Sequence, residues 1–183
     1  MLFNTENEMS EVFESFANSN LIDGDEVFLL KEFKGLFGIP DFILIENSDN
    51  YINYIVSIEL KLKNWKRALK QAFRYRAFSN ESYVILDEYH IELGLKNLEY
   101  FKKFNIGLAS FNSKSELKLF YKPVTAKPFS TKFNSILEKQ VLNNKSADNS
   151  VITWNNFFID ENRVTNISLY SKFLSFNSPI GRA

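Results

Sequence analysis

Hydrophobic and polar residues alternate most regularly in residues 54–63, YIVSIELKLK. Successive side chains of a β-strand point to opposite faces, so this segment predicts a half-buried strand with one apolar and one polar side. The apolar side consists of Val56, Ile58, Leu60 and Leu62. The polar side consists of Ser57, Glu59, Lys61 and Lys63.

Three other segments space their apolar residues as an amphipathic helix does. Residues 8–17 place Met9, Val12, Phe13 and Phe16 on one face, and this helix could begin earlier in the chain. An apolar stripe of the same kind predicts helices over residues 65–79 and 91–104. In the second of these three helices the stripe consists of Trp65, Leu69, Ala72 and Phe73.

Shorter apolar runs between turn residues predict the remaining strands, at residues 26–33, 41–46, 82–86, 106–111 and 116–121. Residues 23–25 and 47–50 carry turn signals, and glycines loosen residues 35–38. The order α-β-β-β-α-β-α-β-β, with strands and helices alternating in its second half, predicts an α/β fold. We expect a mixed sheet that contains parallel pairs and is flanked by helices.

Beyond Pro123 the pattern weakens, so we divide the chain into a core at residues 1–123 and a C-terminal extension at residues 124–183. Residues 143–150, NNKSADNS, are typical of a flexible linker. Residues 151–176 are too apolar to be simply disordered. We therefore expect the extension to pack on the core or to cover a site.

The composition limits the chemistry that 183 residues can carry. There are no cysteines, which excludes disulfides and thiolate metal sites, and His90 is the only histidine. Any catalytic metal must therefore have oxygen ligands, which favours Mg²⁺ or Mn²⁺. No apolar run approaches the roughly 20 residues that span a bilayer, and the N-terminus does not resemble a secretory signal. We expect a cytoplasmic protein with no membrane partner.

Charge is balanced overall, with 22 basic and 22 acidic residues, but its distribution is uneven. Residues 60–80 contain seven basic side chains and no acidic one. Basic side chains on a helix are usually just solvated, yet the lack of balancing acids here favours contact with a phosphate backbone. The residues proposed for that contact are Lys63, Lys66, Arg67, Lys70 and Arg74, and the partner they predict is nucleic acid, with DNA as the first choice.

The candidate chemistry lies at the start of one predicted strand and near the end of the next. In Gly38-Ile39-Pro40-Asp41, proline stiffens the chain just before the aspartate. Neighbouring strands are about 4.8 Å apart, so Asp41 and Glu59 at facing positions of a hairpin can share one divalent cation. Lys61 would lie beside that cation and help to activate water or offset charge on a scissile phosphate. The alternative is an ordinary strand whose polar side is solvated.

These residues resemble the motifs of the restriction-endonuclease-like, or PD-(D/E)XK, nuclease superfamily. The matching residues are Pro40-Asp41 and Glu59-Leu60-Lys61. Gln71-Ala72-Phe73-Arg74-Tyr75 also resembles the Q-x-x-x-Y element of nuclease domains in bacterial recombination helicases and related exonucleases. The resemblance covers roughly residues 8–121 and implies an α-β-β-β-α-β core.

The resemblance also implies roles for these residues. Asp41, Glu59 and the main-chain carbonyl of Leu60 would bind Mg²⁺, and Lys61 would position or activate the attacking water. Gln71 and Tyr75 would orient the substrate or the active site. Many members have a glutamate of the first helix near the metal, and the candidates here are Glu8, Glu11 and Glu14. His90 has no role in this scheme.

Our first hypothesis is a Mg²⁺-dependent nuclease that hydrolyses phosphodiester bonds of DNA. The alternatives are a nuclease-fold protein that binds nucleic acid without cutting it, and a protein-interaction module that uses residues 154–174 as its contact surface. Many nucleases of this fold act as dimers, so a homodimer is a further expectation. Duplex, single-stranded and branched DNA, and RNA, are all compatible with these residues.

Overall fold

The fold was analysed in a computed structural model, which describes residues 2–20, 22–23, 26–33, 38–48, 51–147 and 155–156. The α-helices in these residues are α1 (Glu6–Ser19), α2 (Trp65–Tyr75), α3 (Ile91–Leu95), α4 (Leu98–Phe104) and α5 (Thr131–Ala147). The strands are β1 (Ile22–Asp23), β2 (Glu26–Lys31), β3 (Phe42–Ser48), β4 (Tyr51–Lys61), β5 (Glu81–Asp87), β6 (Gly107–Phe111), β7 (Leu117–Tyr121) and β8 (Asn155–Asn156).

Six of these strands form one mixed sheet in the order β2-β3-β4-β5-β6-β7. The central strands β4, β5 and β6 run parallel to one another, and the outer pairs are antiparallel. The short strands β1 and β8 pair with each other. The prediction of an α/β fold with a mixed sheet flanked by helices is confirmed, as is the antiparallel hairpin β3–β4.

Helix α1 covers one face of the sheet. Thr5 caps it, accepting a hydrogen bond from the main-chain N–H of Glu8, as the preference for threonine at helix N-termini leads us to expect. Its buried side chains pack against alternate residues of β3 and β4, including Phe42, Ile58 and Leu60. Burial of each such side chain contributes about 1.5–3 kcal/mol, so this layer fixes which face of β4 points away from α1.

The opposite face is covered by α2, α4 and α5. Ala68, Leu69 and Ala72 of α2 pack on the β5–β6 part of the sheet, together with Phe101 of α4. Helix α5 packs Leu137 and Val141 over the β3–β4 part, next to apolar side chains of both strands. The polar side of β4 faces this layer and is therefore buried, although the alternation pattern alone favoured a solvated face.

Two predicted helices have different limits in the structure. Helix α2 ends at Tyr75 rather than at Ser79, because the next residues form tighter i→i+3 hydrogen bonds such as Phe78 N–H to the Tyr75 carbonyl, 3.0 Å. The helix predicted over residues 91–104 is interrupted at Lys96-Asn97. The Asn97 side chain donates to the Leu93 carbonyl at 2.8 Å and competes with continuation of the helix.

Other boundaries also shift. One turn of 3₁₀ helix, Glu88–His90, lies between the strand predicted at residues 82–86 and the helix predicted at residues 91–104. Strand β3 continues to Ser48, into the predicted turn. The prediction of a linker from residue 143 is wrong up to Ala147, where α5 ends.

Several predictions lie partly outside the described residues. These are the turn signals at residues 24–25 and 49–50, the glycine-containing stretch at 35–37, the linker at 148–150, and nearly all of the apolar segment 151–176. In the part of the chain that the structure describes, no helix is both long and apolar enough to cross a bilayer.

Candidate active site

The register of the β3–β4 hairpin brings the two candidate carboxylates together. Phe42 pairs with Ile58, and continuing that register by one residue sets Asp41 opposite Glu59. The Oδ2 atom of Asp41 accepts a hydrogen bond of 2.6 Å from the main-chain N–H of Leu60. This bond fixes the Asp41 side chain against the strand that carries Glu59 and Lys61.

Glu59 is held from two sides. Its side chain is 1% exposed. Its Oε1 atom lies 3.0 Å from Nζ of Lys61, and its Oε2 atom lies 2.8 Å from the Tyr75 hydroxyl. That hydroxyl is also 2.9 Å from the Ile39 carbonyl oxygen. A hydroxyl carries one proton, so it donates to only one of these acceptors at a time.

Lys61 bridges two glutamates from different parts of the fold. Its Nζ atom lies 3.0 Å from Glu59 and 3.0 Å from Oε2 of Glu6, in the first turn of α1. Lys61 is largely buried, whereas Glu6 is about half exposed. The ammonium group thus connects a buried carboxylate to the surface, at the end of β4.

Burial and nearby negative charge raise the proton affinity of both carboxylates. Burial, followed by the charge of Asp41, raises the pKa of Glu59 to about 7. Burial also raises the pKa of Asp41, against the lowering effect of its hydrogen bond from Leu60. Two neighbouring carboxylates whose charged forms are disfavoured make a suitable site for a cation. The positive charge of the ion would offset both the loss of hydration and the repulsion between the negative charges.

Lys61 stays protonated in this setting. Burial lowers the pKa of Lys61, but the charges of Glu59 and Glu6 and their hydrogen bonds raise it, and the net shift is upward. The group is therefore an ammonium ion at neutral pH. It can donate hydrogen bonds and attract an anion, but it cannot take up a proton as a general base.

Gln71 and Tyr75 lie on the sheet-facing side of α2, one turn apart. Tyr75 is buried, and burial and the Glu59 charge raise its pKa, whereas a hydrogen bond with Gln71 lowers it. The Gln71 Oε1 atom is buried and has no hydrogen-bond partner among the described residues. The structure thus places Tyr75 against Glu59 and Gln71 against Tyr75, and it leaves one buried acceptor of Gln71 unsatisfied.

The chain segment before Asp41 passes close over the Tyr75 ring. Gly38 has a φ of 115°, a backbone conformation that residues with side chains rarely adopt. A Cβ atom at this position would lie 2.9 Å from Cε1 of Tyr75. Glycine is therefore required for the close approach that brings the Ile39 carbonyl to the tyrosine hydroxyl.

Replacing Gly38 with alanine should lower the free energy of unfolding by about 1–3 kcal/mol, because it combines backbone strain with a steric clash. Urea denaturation measures the change. In a Tyr75→Leu background the clash is removed while the backbone strain remains, so the same substitution should cost less. An equal cost in both backgrounds would contradict the proposed contact.

The first-helix glutamate that reaches the site is Glu6, which the sequence analysis did not include. Glu8 accepts hydrogen bonds from Asn4, and Glu11 accepts one from Asn7. Successive helical residues are about 100° apart, so neither lies on the face that carries Glu6. The sequence Thr5-Glu6-Asn7-Glu8 has the spacing of a capping box, which could have assigned Glu8 to the helix start.

The predicted phosphate-binding residues lie in and just before α2, beside the site. Lys63, Lys66, Arg67, Lys70 and Arg74 are all exposed. None of them forms an ion pair with a carboxylate in the described part of the chain. Their charges are therefore open to an anionic partner along one surface.

Comparisons of the chain with protein-family models, with curated proteins and with solved structures give no significant match. Nor do the described residues contain a group of three or more His, Cys, Asp or Glu side chains placed to hold a metal ion. Mg²⁺ is commonly bound through only one or two carboxylates, with water and substrate phosphates completing its shell. The Asp41–Glu59 pair meets that smaller requirement.

Proposed function

We propose that this chain is a metal-dependent nuclease that hydrolyses phosphodiester bonds of DNA. The observation that carries the proposal is the facing pair Asp41 and Glu59, with the Lys61 ammonium 3.0 Å from Glu59. A buried and a partly buried carboxylate and an ammonium ion, with exposed basic residues on the neighbouring helix, suit a reaction on a phosphate backbone.

The order of the elements supports a restriction-endonuclease-like core. Helix α1, strands β2, β3 and β4, helix α2 and strand β5 follow one another as the α-β-β-β-α-β order requires. Asp41 precedes the second of these strands, and Glu59 and Lys61 end the third. The two-residue strand β1, which pairs with β8 outside the main sheet, is an addition to that order.

Asp41, Glu59 and the main-chain carbonyl of Leu60 would hold Mg²⁺ or Mn²⁺. When bound, such an ion polarises water and offsets negative charge on the phosphate. The raised pKa values of both carboxylates and the unsatisfied Gln71 Oε1 atom are consistent with a site that takes up an additional polar or charged group.

The side chains around the ion would have separate roles in the reaction. Lys61, as an ammonium ion, donates hydrogen bonds to the attacking water or to a phosphate oxygen and stabilises the charge that develops there. Tyr75 and Gln71 orient the Glu59 carboxylate. Glu6 positions Lys61 through its ion pair of 3.0 Å. The exposed basic residues of α2 hold the backbone of the substrate.

Cation binding can be tested without measuring activity. Mg²⁺ at about 100 times its dissociation constant should raise the free energy of unfolding by about 2.7 kcal/mol. At one fixed Mg²⁺ concentration, this increase in the free energy of unfolding should be larger at about pH 8 than at about pH 6, since protons compete with the ion for Glu59. Thermal denaturation measures the shift in Tm. Asp41→Asn should remove the shift, whereas Glu92→Gln, at an exposed position of α3, should keep it.

A panel of labelled substrates tests the activity itself. Duplex, single-stranded and branched DNA, and RNA, are incubated with Mg²⁺, with Mn²⁺ and with EDTA. The proposal expects cleavage of at least one DNA substrate with either ion and none with EDTA. Absence of cleavage from the whole panel, or activity that persists in EDTA, overturns it.

Binding of nucleic acid without cleavage is the second candidate function. This candidate is favoured because the charged groups of the site already have partners within the protein. Lys61 is paired with two glutamates, and Asp41 is hydrogen bonded to Leu60. Such a closed network can be purely structural. Under this candidate, DNA binds equally well with Mg²⁺ and with EDTA and is recovered uncut.

A further inference from the structure

A groove lies between α2 and α4, on the side of α2 that faces away from Tyr75. Its volume is about 410 Å³. Its lining includes the aromatic residues Trp65, Phe73, Tyr100 and Phe104 and the lysines Lys66 and Lys70. Trp65, where α2 begins, is only four residues beyond Lys61 in the sequence. The groove therefore begins close in sequence to the candidate active site and extends along the basic helix.

Three aromatic side chains of the groove are exposed. Tyr100 is 52% exposed, Phe73 40% and Phe104 37%. The rings form two pairs: Trp65 with Tyr100 at 5.9 Å between ring centroids, and Phe73 with Phe104 at 5.4 Å. Exposed aromatic clusters of this kind mark binding surfaces, because leaving them in water is costly.

Positive charge surrounds these rings. Lys66 lies over the Trp65 ring at 5.6 Å, and Lys103 over the Phe104 ring at 5.8 Å. Glu99, the acidic residue of α4, is paired with Lys102 at 2.8 Å. The groove thus presents flat apolar rings between ammonium groups that an anionic ligand can reach. Its charge is complementary to a polyanion, and its rings suit a ligand with flat apolar faces.

We infer that this groove binds a single-stranded segment of DNA, its bases stacked on the two aromatic pairs and its phosphates on Lys66 and Lys70. The inference rests on the proposed function and specifies the form of its substrate. Trp65 and Phe73 are eight residues apart on α2, about 12 Å, which is room for about three stacked bases.

The groove discriminates against other ligands by its chemistry. Base pairs inside a duplex are covered above and below by their neighbours, so their faces cannot reach rings in a groove, whereas an unpaired base offers its whole face. Asn97 is the lining amide, and its side-chain nitrogen already donates to the Leu93 carbonyl. Stacking on the rings and phosphate contacts with the lysines do not require a ribose 2′-hydroxyl, so a strand of DNA is sufficient for both kinds of contact.

The test measures binding of oligo(dT) of about 12 nucleotides, a length within the usual range for single-strand sites, in EDTA so that nothing is cut. The full chain with Trp154→Phe leaves Trp65 as its single tryptophan. Oligo(dT) should quench the fluorescence of Trp65 and bind at least about tenfold tighter than a duplex of the same length. Equal or tighter binding of the duplex, or tighter binding of oligo(rU), overturns the inference.

Variants separate stacking from charge. Tyr100→Ala should weaken oligo(dT) binding about tenfold, while Tyr89→Ala, an exposed tyrosine outside the groove, should leave it unchanged. Lys66→Gln should lower the slope of log K against log salt by about 0.7, the value for one phosphate contact on a single strand. If Tyr100→Ala leaves oligo(dT) binding unchanged but converts a dimer to a monomer in sedimentation, the groove is a contact between copies and the inference fails.

The same experiments keep the two proposals apart. Selective, Tyr100-dependent binding of oligo(dT) in EDTA, with no cleavage of any substrate in Mg²⁺, supports the groove and overturns the nuclease. Metal-dependent cleavage that is unaffected by Tyr100→Ala, with no preference for single strands, supports the nuclease and overturns the groove.

Discussion

Replacing Glu59 with glutamine should lower metal-dependent DNA cleavage about a thousandfold, and Asp41→Asn and Lys61→Met should have effects of similar size. Each change keeps the approximate shape of the side chain and removes its charge. The loss comes from a cation that is no longer held, for the carboxylates, or from phosphate charge that is no longer stabilised, for Lys61. The initial rate of cleavage of a labelled DNA substrate in Mg²⁺ measures the effect.

Matched controls show whether the loss is local. Glu92→Gln and Lys114→Met make the same chemical changes at exposed positions outside the site and should retain full activity. Circular dichroism verifies that each variant is folded. Full metal-dependent activity in a folded Glu59→Gln or Lys61→Met variant would refute the assignment of the active site.

The stability of the Glu59→Gln variant relative to the natural chain should increase with pH, by up to about 3 kcal/mol between pH 5 and pH 8. Burial and the Asp41 charge raise the pKa of Glu59 from 4.5 to about 7 in the folded chain. Between these values the folded state binds a proton that the unfolded state has released. The resulting stabilisation is present at low pH and is lost as the pH rises through 7. Glutamine at this position does not titrate.

Urea denaturation of both proteins at the two pH values, in EDTA, measures this difference. Glu92→Gln makes the same substitution at an exposed position and provides the baseline. If the difference in free energy of unfolding between Glu59→Gln and the natural chain stays constant or decreases with pH, the pKa of Glu59 is not raised in the folded state.

The alternation in β4 predicted which face of the strand each side chain occupies, but not the burial of the polar face. Period-two spacing placed Ile58 and Leu60 on one face and Glu59 and Lys61 on the other, and the structure confirms that division. Burial of the polar face could not be predicted, because it depends on where α2 and α5 return over the sheet. That is a property of long-range packing, and nothing in the eleven residues of the strand encodes it.

Helix α5 shows why a weakly patterned segment is missed. Phe133, Leu137 and Val141 recur every four residues, which matches one helical face, but the helix also contains three asparagines and two serines, which are poor helix formers. The sheet face beneath the helix supplies the stabilisation that its sequence lacks. Tertiary packing overrides intrinsic propensity here, and a single sequence contains little sign of it.

The involvement of Glu6 was missed for a local reason. The apolar stripe of α1 begins at Met9, so periodicity alone placed the start of the helix too late and drew attention to Glu8 and Glu11. The capping residue Thr5 defines the true start. The contact of Glu6 with Lys61 also depends on how α1 is positioned at the end of β4, which the sequence of the helix does not specify.

The irregularity in the β3–β4 pairing has a practical consequence. The register shifts by one residue between Glu46 and Asn47, and five regular pairs separate that shift from Asp41. A bulge of this kind absorbs an extra residue locally. The bulge and five regular pairs thus separate Ser48 and Tyr51 from the carboxylate pair. We expect a peptide epitope or a dye attachment site introduced between Ser48 and Tyr51 to leave the reactive groups in place.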